Sequence, residues 1–234
     1  MKKLGFLYAM MFVVSLAMAQ TNDASIQQTG DDHEALIQQI GSLNKSYVVQ
    51  EDGSEGNNPG TVAKADILQQ GDENYVNVRQ RAFYGNQNST ANITQIGDNN
   101  SVRGVNEGEQ WFQNQTGGLL DVYMEGDGNT LRSLAGEAQK NNNSLELVIY
   151  GGINDVAAVQ EFGNATIDID GDDNDVVLKQ KSFANFDAAK YNNADIDIVG
   201  SFNDVTVDQM NNANNAVVDI LGSSNVASII QTGN

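Results

Sequence analysis

Gln28-Thr-Gly30-Asp-Asp-His33-Glu-Ala35-Leu-Ile-Gln38-Gln39-Ile-Gly41-Ser-Leu-Asn44-Lys-Ser46-Tyr-Val-Val-Gln50 repeats itself every eleven residues. Gln stands at 28, 39 and 50, and Gly at 30 and 41. A short fixed period marks a chain that stacks copies of one supersecondary unit. Such an array is a surface or a fibre before it is an enzyme.

The beat continues with changing spacers. Gly-x-x-Asn returns at Gly71/Asn74, Gly97/Asn100, Gly126/Asn129, Gly151/Asn154, Gly171/Asn174, Gly200/Asn203 and Gly222/Asn225. Nine residues after these glycines come Gln80, Gln160, Gln180, Gln209 and Gln231, with Asn106 and Ala135 the exceptions. Two residues before the glycine, early copies carry Gln28, Gln39, Gln69 and Gln95. Later copies carry Met124, Ile149, Ile169, Ile198 and Ile220 there.

One copy shows the physics. Ala165, Ile167 and Ile169 alternate with Thr166, Asp168 and Asp170, the period of a strand with one buried face. After the turn, Val176, Leu178 and Gln180 form the next inward set. A lone buried Gln is costly, but a column of stacked Gln satisfies its amides from the copies above and below. Gly supplies the positive φ of a tight turn, and Asn tolerates it while bonding the local backbone.

The pattern predicts an all-β solenoid of strand-turn-strand repeats, about eight coils with two strands per coil. Seventeen five-residue strands are expected, from 24–28 to 227–231, among them 102–106, 131–135 and 145–149. At about 4.8 Å per rung the array stands roughly 40 Å tall. From Gly41 onward every Gly-x-x-Asn turn falls on one edge. The spacers 51–64, 81–90, 107–119, 136–144, 161–164, 181–193 and 210–215 fall on the other, together with the turn at Gly30.

Residues 1–19 read as a secretory signal: basic Lys2 and Lys3, an apolar stretch, and Ala17-Met18-Ala19 as the cleavage site. Residues 20–234 then form a single repeat domain. No other apolar run reaches membrane-spanning length. Removing Lys2 and Lys3 takes the formal charge from −19 to −21. With no basic face, nucleic acid is excluded as a partner. Cysteine is absent, so hydrogen-bond ladders must supply what disulfides give other exported proteins.

The motif Gln-x-Gly-x-x-Asn-x-Ala-x-x-x-Gln resembles the curlin repeat of bacterial curli fibre subunits. Gln28 to Gln39, with His33 for Asn, and Gln39 to Gln50, with Ser46 for Ala, match best; Gln69 to Gln80 follows. The resemblance weakens past Gly108. It implies a secreted subunit of extracellular amyloid fibres serving biofilm matrix, adhesion and cell aggregation. It also implies self-polymerisation with other curlin-like subunits and export through dedicated outer-membrane secretion machinery. The other function the residues allow is a monomeric secreted solenoid that binds a partner or glycan through its variable edge.

Chemistry-bearing constellations are few, and neither catalytic, cofactor-binding nor metal residues are assigned. His33 is the single histidine and sits in a turn. Asp168/Asp170 and Asp195/Asp197 are paired carboxylates on an outward face. Flanking a sugar cleft on neighbouring coils, they would suit hydrolysis; as surface charge, they discourage sideways sheet stacking. The turns Gly171–Asp175 and Gly126–Asn129 offer hard oxygen ligands for structural calcium, but the calcium β-roll nonapeptide is missing. Trp111 and Phe112 fall in the spacer 107–119, read as folded over the array edge, as are Phe183 and Phe186 in 181–193. The residues assigned a role are structural: the Gln ladder and the Gly-x-x-Asn turns.

Overall fold

The computed structural model describes residues 21–30, 32–52, 63–82, 89–104, 111–114, 119–134, 144–182 and 191–233. The expected signal segment, Asn106, Ala135, Phe183 and Phe186 lie outside the described residues.

Every described regular element is a strand. In chain order they are β1 (Asp23–Thr29), β2 (Glu34–Ile40), β3 (Lys45–Asp52), β4 (Ala63–Gln70), β5 (Tyr75–Ala82), β6 (Ser89–Ile96), β7 (Ser101–Arg103), β8 (Trp111–Asn114), β9 (Leu119–Met124), β10 (Thr130–Arg132), β11 (Leu145–Leu147), β12 (Asp155–Glu161), β13 (Gly163–Asp170), β14 (Asp175–Lys181), β15 (Asn192–Val199), β16 (Asp204–Met210), β17 (Asn215–Leu221) and β18 (Val226–Thr232). They form two sheets. A ten-stranded sheet runs β1-β3-β5-β7-β10-β12-β14-β16-β18, with β8 also paired to β5. An eight-stranded sheet runs β2-β4-β6-β9-β11-β13-β15-β17. Every pairing is parallel. One strand from each sheet makes a coil, so the chain is the all-β solenoid with two strands per coil that its period predicts.

Alternation sets the core. In β13, Ala165, Ile167 and Ile169 are buried, while Asn164, Thr166 and Asp168 point away from the core. Register then stacks like on like: Ala165 on Ala194 on Ala216, Ile167 on Ile196 on Val218, and Ile169 on Ile198 on Ile220. A slip of one residue would turn every one of these side chains outward, so each added coil reinforces the register of the last.

The regular edge is equally specified. Each regular-edge glycine from Gly41 to Gly200 lies on the carbonyl of the glycine one coil further on. A Cβ on Gly97, whose φ is +98°, would stand 2.2 Å from the Gly126 carbonyl oxygen. The second positive φ of the turn falls not on the Asn, as the sequence suggested, but on the residue before it. Leu43 (60°), Glu73 (60°), Asn99 (59°), Ile153 (62°), Asp173 (55°), Phe202 (61°) and Ser224 (60°) take it. The Asn stays out of the left-handed region because its side chain must turn inward between coils.

Among the described residues eighteen strands stand where seventeen were expected along the chain. The addition is β8, inside the expected spacer 107–119. Ser101 and Val102 of β7 pair with Tyr75 and Val76, and Trp111 and Gln113 of β8 pair with Val78 and Gln80. Two short strands thus share one rung, and Trp111 and Phe112 belong to a strand rather than to a fold-over loop. β7, β10 and β11 are three residues each, shorter than the five expected. The expected spacer 161–164 is no spacer: Phe162 alone (φ 57°) joins β12 to β13. Residues 211–214 are a tight turn with Asn211 (φ 67°) and Ala213 (φ 57°) in the left-handed region. Asn211 takes the place that glycine holds elsewhere, which is why the Gly-x-x-Asn pattern missed it.

These contacts predict opposite outcomes for two substitutions. Gly97→Ala collides with backbone and should lower the midpoint of thermal unfolding by many degrees or abolish folding. Ile153 is a β-branched residue held at positive φ and 65% exposed. Ile153→Gly should raise stability by about 1 kcal/mol, the strain released being of order 1–2 kcal/mol. Far-ultraviolet circular dichroism on heating checks both.

Candidate functional site: the amide ladders and the strand edges

The Gln side chains form a directional ladder. In the larger sheet Gln28 Nε2 donates to Gln50 Oε1 at 2.8 Å, and Gln50 to Gln80 at 2.8 Å. Further along, Gln160 donates to Gln180 at 2.7 Å, Gln180 to Gln209 at 2.8 Å, and Gln209 to Gln231 at 2.8 Å. In the smaller sheet Gln39 donates to Gln69 and Gln69 to Gln95, each at 2.9 Å. The amide carries a second N–H, and it crosses the core edge to a backbone carbonyl sixteen residues earlier. Gln50 reaches Glu34, Gln80 reaches Lys64, Gln180 reaches Asn164, and Gln209 reaches Asn193. Each Gln therefore ties one coil to the next and also closes the edge between the two sheets.

One rung in the larger sheet was invisible to the nine-residue spacing. Register sets Gln113 of β8 opposite Gln80, where the spacing points to Asn106. The signal was present as WFQN, a Gln displaced by seven residues. The column also has a gap. Gln160 is buried, and its Oε1 has no hydrogen-bond partner. The ladder position before it is the one where the sequence carries Ala135.

A second ladder, of Asn, runs the full height of the regular edge. The backbone N–H of each Asn donates to the Oδ1 of the Asn one coil earlier. The steps go from Asn44 to Asn22, Asn74 to Asn44, Asn100 to Asn74, Asn129 to Asn100, Asn154 to Asn129, Asn174 to Asn154, Asn203 to Asn174 and Asn225 to Asn203. Side-chain Nδ2 groups bond turn carbonyls one coil further on: Asn44 to Gly71, Asn74 to Gly97, Asn154 to Gly171 and Asn203 to Gly222. Asn22 heads this column and was missed for want of a preceding glycine. Its six-residue distance from Gln28 equals that of Asn44 from Gln50. His33 stands in for Asn on the other edge. Its Nδ1 accepts the Ala63 N–H at 3.2 Å, and its Nε2 faces the Thr29 carbonyl at 3.3 Å.

The two ladders explain the drift from Gln to aliphatic residues. Gln39, Gln69 and Gln95 bond the carbonyls of Asp23, Lys45 and Tyr75, each of which directly follows an Asn of the column. That edge is already held by the Asn ladder and its glycine contacts, so Met124, Ile149, Ile169, Ile198 and Ile220 can replace Gln and bury apolar surface instead. Among the described residues of the edge that carries the long connections, an Asn-to-Asn step joins Asn214 to Asn192, and Gln persists along that edge.

Acidic side chains stack on the outer faces. Asp168 lies level with Asp197, and Asp175 lies between Asp155 and Asp204. Burial, then Asp197, then Asp170 push the Asp168 carboxyl up, and burial with Asp155 and Asp204 does the same to Asp175. In the turns the acids act as acceptors. Asp72 Oδ1 takes the Ser42 hydroxyl and N–H at 2.7 Å each, which lowers its pKa. Asp172 Oδ1 takes the Gly152 N–H at 2.7 Å, and Asp127 Oδ1 the Asp98 N–H at 2.8 Å. Of the turn residues considered for calcium, Asp127 and Asp172 each have Oδ1 engaged by a backbone N–H. Among the described residues no group of three or more His, Cys, Asp or Glu is arranged to hold a metal ion.

At its two ends the array presents four strand edges among the described residues. β1 and β2 are each bonded on one side only, as are β17 and β18. Gln28 and Gln39 head the two Gln columns with Oε1 facing outward from the array. At the other end a Cβ on Gly222 would meet only the Asn225 amide, at 3.5 Å, where every earlier regular-edge glycine meets backbone.

Two measurements test this anatomy. Gln180→Leu strands Gln209 Oε1 and takes the acceptor from Gln160, whereas Gln160→Leu strands one oxygen and removes another already orphaned. Each stranded group costs about 1–3 kcal/mol, so Gln180→Leu should lower the denaturant midpoint clearly more. A carboxyl whose folded pKa is raised binds protons more tightly when folded, so its charge destabilises the fold above the folded pKa, and that penalty vanishes below the unfolded one. Asp168→Asn should therefore raise the thermal midpoint at pH 7 and leave it unchanged near pH 3.

No curated protein and no solved structure matches the chain. A family model matches two stretches, 21–53 and 200–233. These hold Gln28 to Gln50 and Gln209 to Gln231, where successive coils are twenty-two residues apart and both edges turn tightly. The matching family is the curlin associated repeat, and the chain carries it in the coils at both ends of the solenoid.

Proposed function

We propose that this protein is a structural subunit of curli-like extracellular fibres, a role without catalysis. It leaves the cell behind the signal 1–19, through dedicated secretion machinery in the outer membrane, and polymerises by adding copies to its open strand edges. Fibres of this kind serve a biofilm matrix and adhesion between cells.

The observation that carries the reading is the pair of unpaired coil ends, each built of curlin repeat. Parallel strands at a coil end expose unpaired N–H and C=O groups, and a further strand completes them. The ladders ask for the same continuation, since their last amides face outward with a hydrogen bond still to make. Exposed apolar side chains gather in the last two strands, with Val217, Leu221, Val226 and Ile230 each more than 60% exposed. The stacked carboxylates on the flanks oppose sideways association and leave the ends as the place for addition.

Purified residues 20–234 should elongate preformed seeds into fibres with a meridional reflection near 4.8 Å, the strand spacing. Ser228→Pro, which places a proline in β18, should slow that elongation at least tenfold while leaving the monomer folded. A chain that remains monomeric in the presence of seeds, without that reflection, overturns the reading.

A further inference from the structure

We infer that successive copies in the fibre are related by a half-turn about its axis, so that β17 and β18 of one copy receive β1 and β2 of the next. The inference rests on the assembly reading above and concerns the geometry of its junction.

The described array has an odd number of rungs. β7 and β8 share one rung, so the eighteen strands make seventeen levels, beginning with β1 and ending with β18 in the same sheet. Plain translation would seat β1 of the next copy on β18. Its β2 would then stand two levels above β17, and one strand would be missing from the smaller sheet at every junction. Two facing strand edges, each seven residues long, would be left without hydrogen-bond partners. A half-turn removes the gap. β1 of the next copy then lies on β17, and β2 lies on β18, with strand direction preserved.

The residues fit this junction. Aligned as in-chain neighbours are, Ala24, Ile26 and Gly30 of the next copy fall on Ala216, Val218 and Gly222. Ala35, Ile37 and Gln39 fall on Ala227, Ile229 and Gln231. The open space over Gly222 receives a glycine, as it does at every earlier regular-edge turn. Asn22 falls on Asn214. His33, which already uses its ring as Asn uses its amide, falls on Asn225. The one mismatch is Gln28 over Ile220. It repeats a pairing found inside the chain, where Gln95 lies beside Met124, and it leaves one amide oxygen unpaired instead of two strand edges.

Charge and turn shape agree. Inside the chain acids stack on acids, as Asp197 on Asp219 and Asp175 on Asp204. At the half-turn junction Asp219 meets Gln27 of the next copy, and the next copy's Asp23 and Glu34 meet Asn215 and Val226. No acid in the paired strands faces another. Among the described residues of the variable edge, only the turns 30–33 and 211–214 carry two left-handed residues. These are the turns at which a rotated neighbour's regular edge takes over the column. The edge at which the described strands enter and leave the long connections would then alternate between the two sides of the fibre.

Cysteine pairs distinguish the geometries, because the chain has no cysteine of its own. Ser25, Val217 and Ser228 are exposed strand positions. Paired residues on adjacent strands lie about 4.8 Å apart, within the span a disulfide bridges. Fibres grown from Ser25→Cys/Val217→Cys chains and then oxidised should run as a ladder of covalent multimers without reductant. Ser25→Cys/Ser228→Cys fibres should run as monomer. The reverse result, or fibres in which neither pair cross-links, overturns the half-turn and leaves the assembly reading standing. Failure of every variant and of the unmodified chain to form fibres overturns both.

Discussion

Everything in this molecule depends on parallel, in-register stacking at the spacing of one strand. At that spacing a side chain has its nearest neighbours directly above and below, in the same chemical position of the adjacent coil. A residue is accommodated only if it can pack on, or bond to, its counterpart. Ala, Val and Ile do so by contact, and Gln and Asn by an amide that both donates and accepts. Glycine does so by lacking the atom that would strike the next carbonyl. The composition, rich in Asn, Gln and Gly and free of cysteine, is the list of residues that tolerate this constraint.

Carboxylates do not tolerate it as well, and their placement shows the balance. Asp168, level with Asp197, and Asp175, between Asp155 and Asp204, are each pushed up in pKa by burial first and then by those neighbouring carboxylates, so columns of acid cost stability in the folded coil. They stand on the outer faces and at strand starts, where solvent reduces the repulsion. In the turns the same residue type becomes useful, because a backbone N–H from the preceding coil aims at its oxygen. The chain can therefore be strongly acidic and still stack. The two sides of the core are closed by different means. Asn and glycine hold the edge that turns tightly, and Gln holds the edge that accommodates insertions. The aliphatic residues of the later coils occupy the positions where the first mechanism makes the second redundant.

Repeat counting served the tight coils and failed at the insertions. The alternation in Ala165 to Gln180 defined strand, turn and inward Gln together, because all three depend on local chain geometry. β8 was hidden because Gln113 is displaced by seven residues from its periodic position; only pairing with β5 shows that two fragments share a rung. The turn 211–214 was hidden because Asn211 replaces glycine, and Asn22 because no glycine precedes it. The assignment of positive φ to the ladder Asn was wrong for a related reason. Pattern alone does not tell a residue that shapes a turn from one that bridges between turns.

The sequence by itself determined the period, the two-strand coil, the inward Gln and the two kinds of edge, since each follows from side-chain alternation and the steric demands of a turn. Tertiary structure decided what passes between coils: the direction of both ladders, the orphaned oxygen of Gln160, the recruitment of Trp111–Asn114 to a rung, and the odd number of levels. Those features are set by which backbone lies one strand spacing away. Insertions between repeats decouple that neighbour from any fixed distance along the chain.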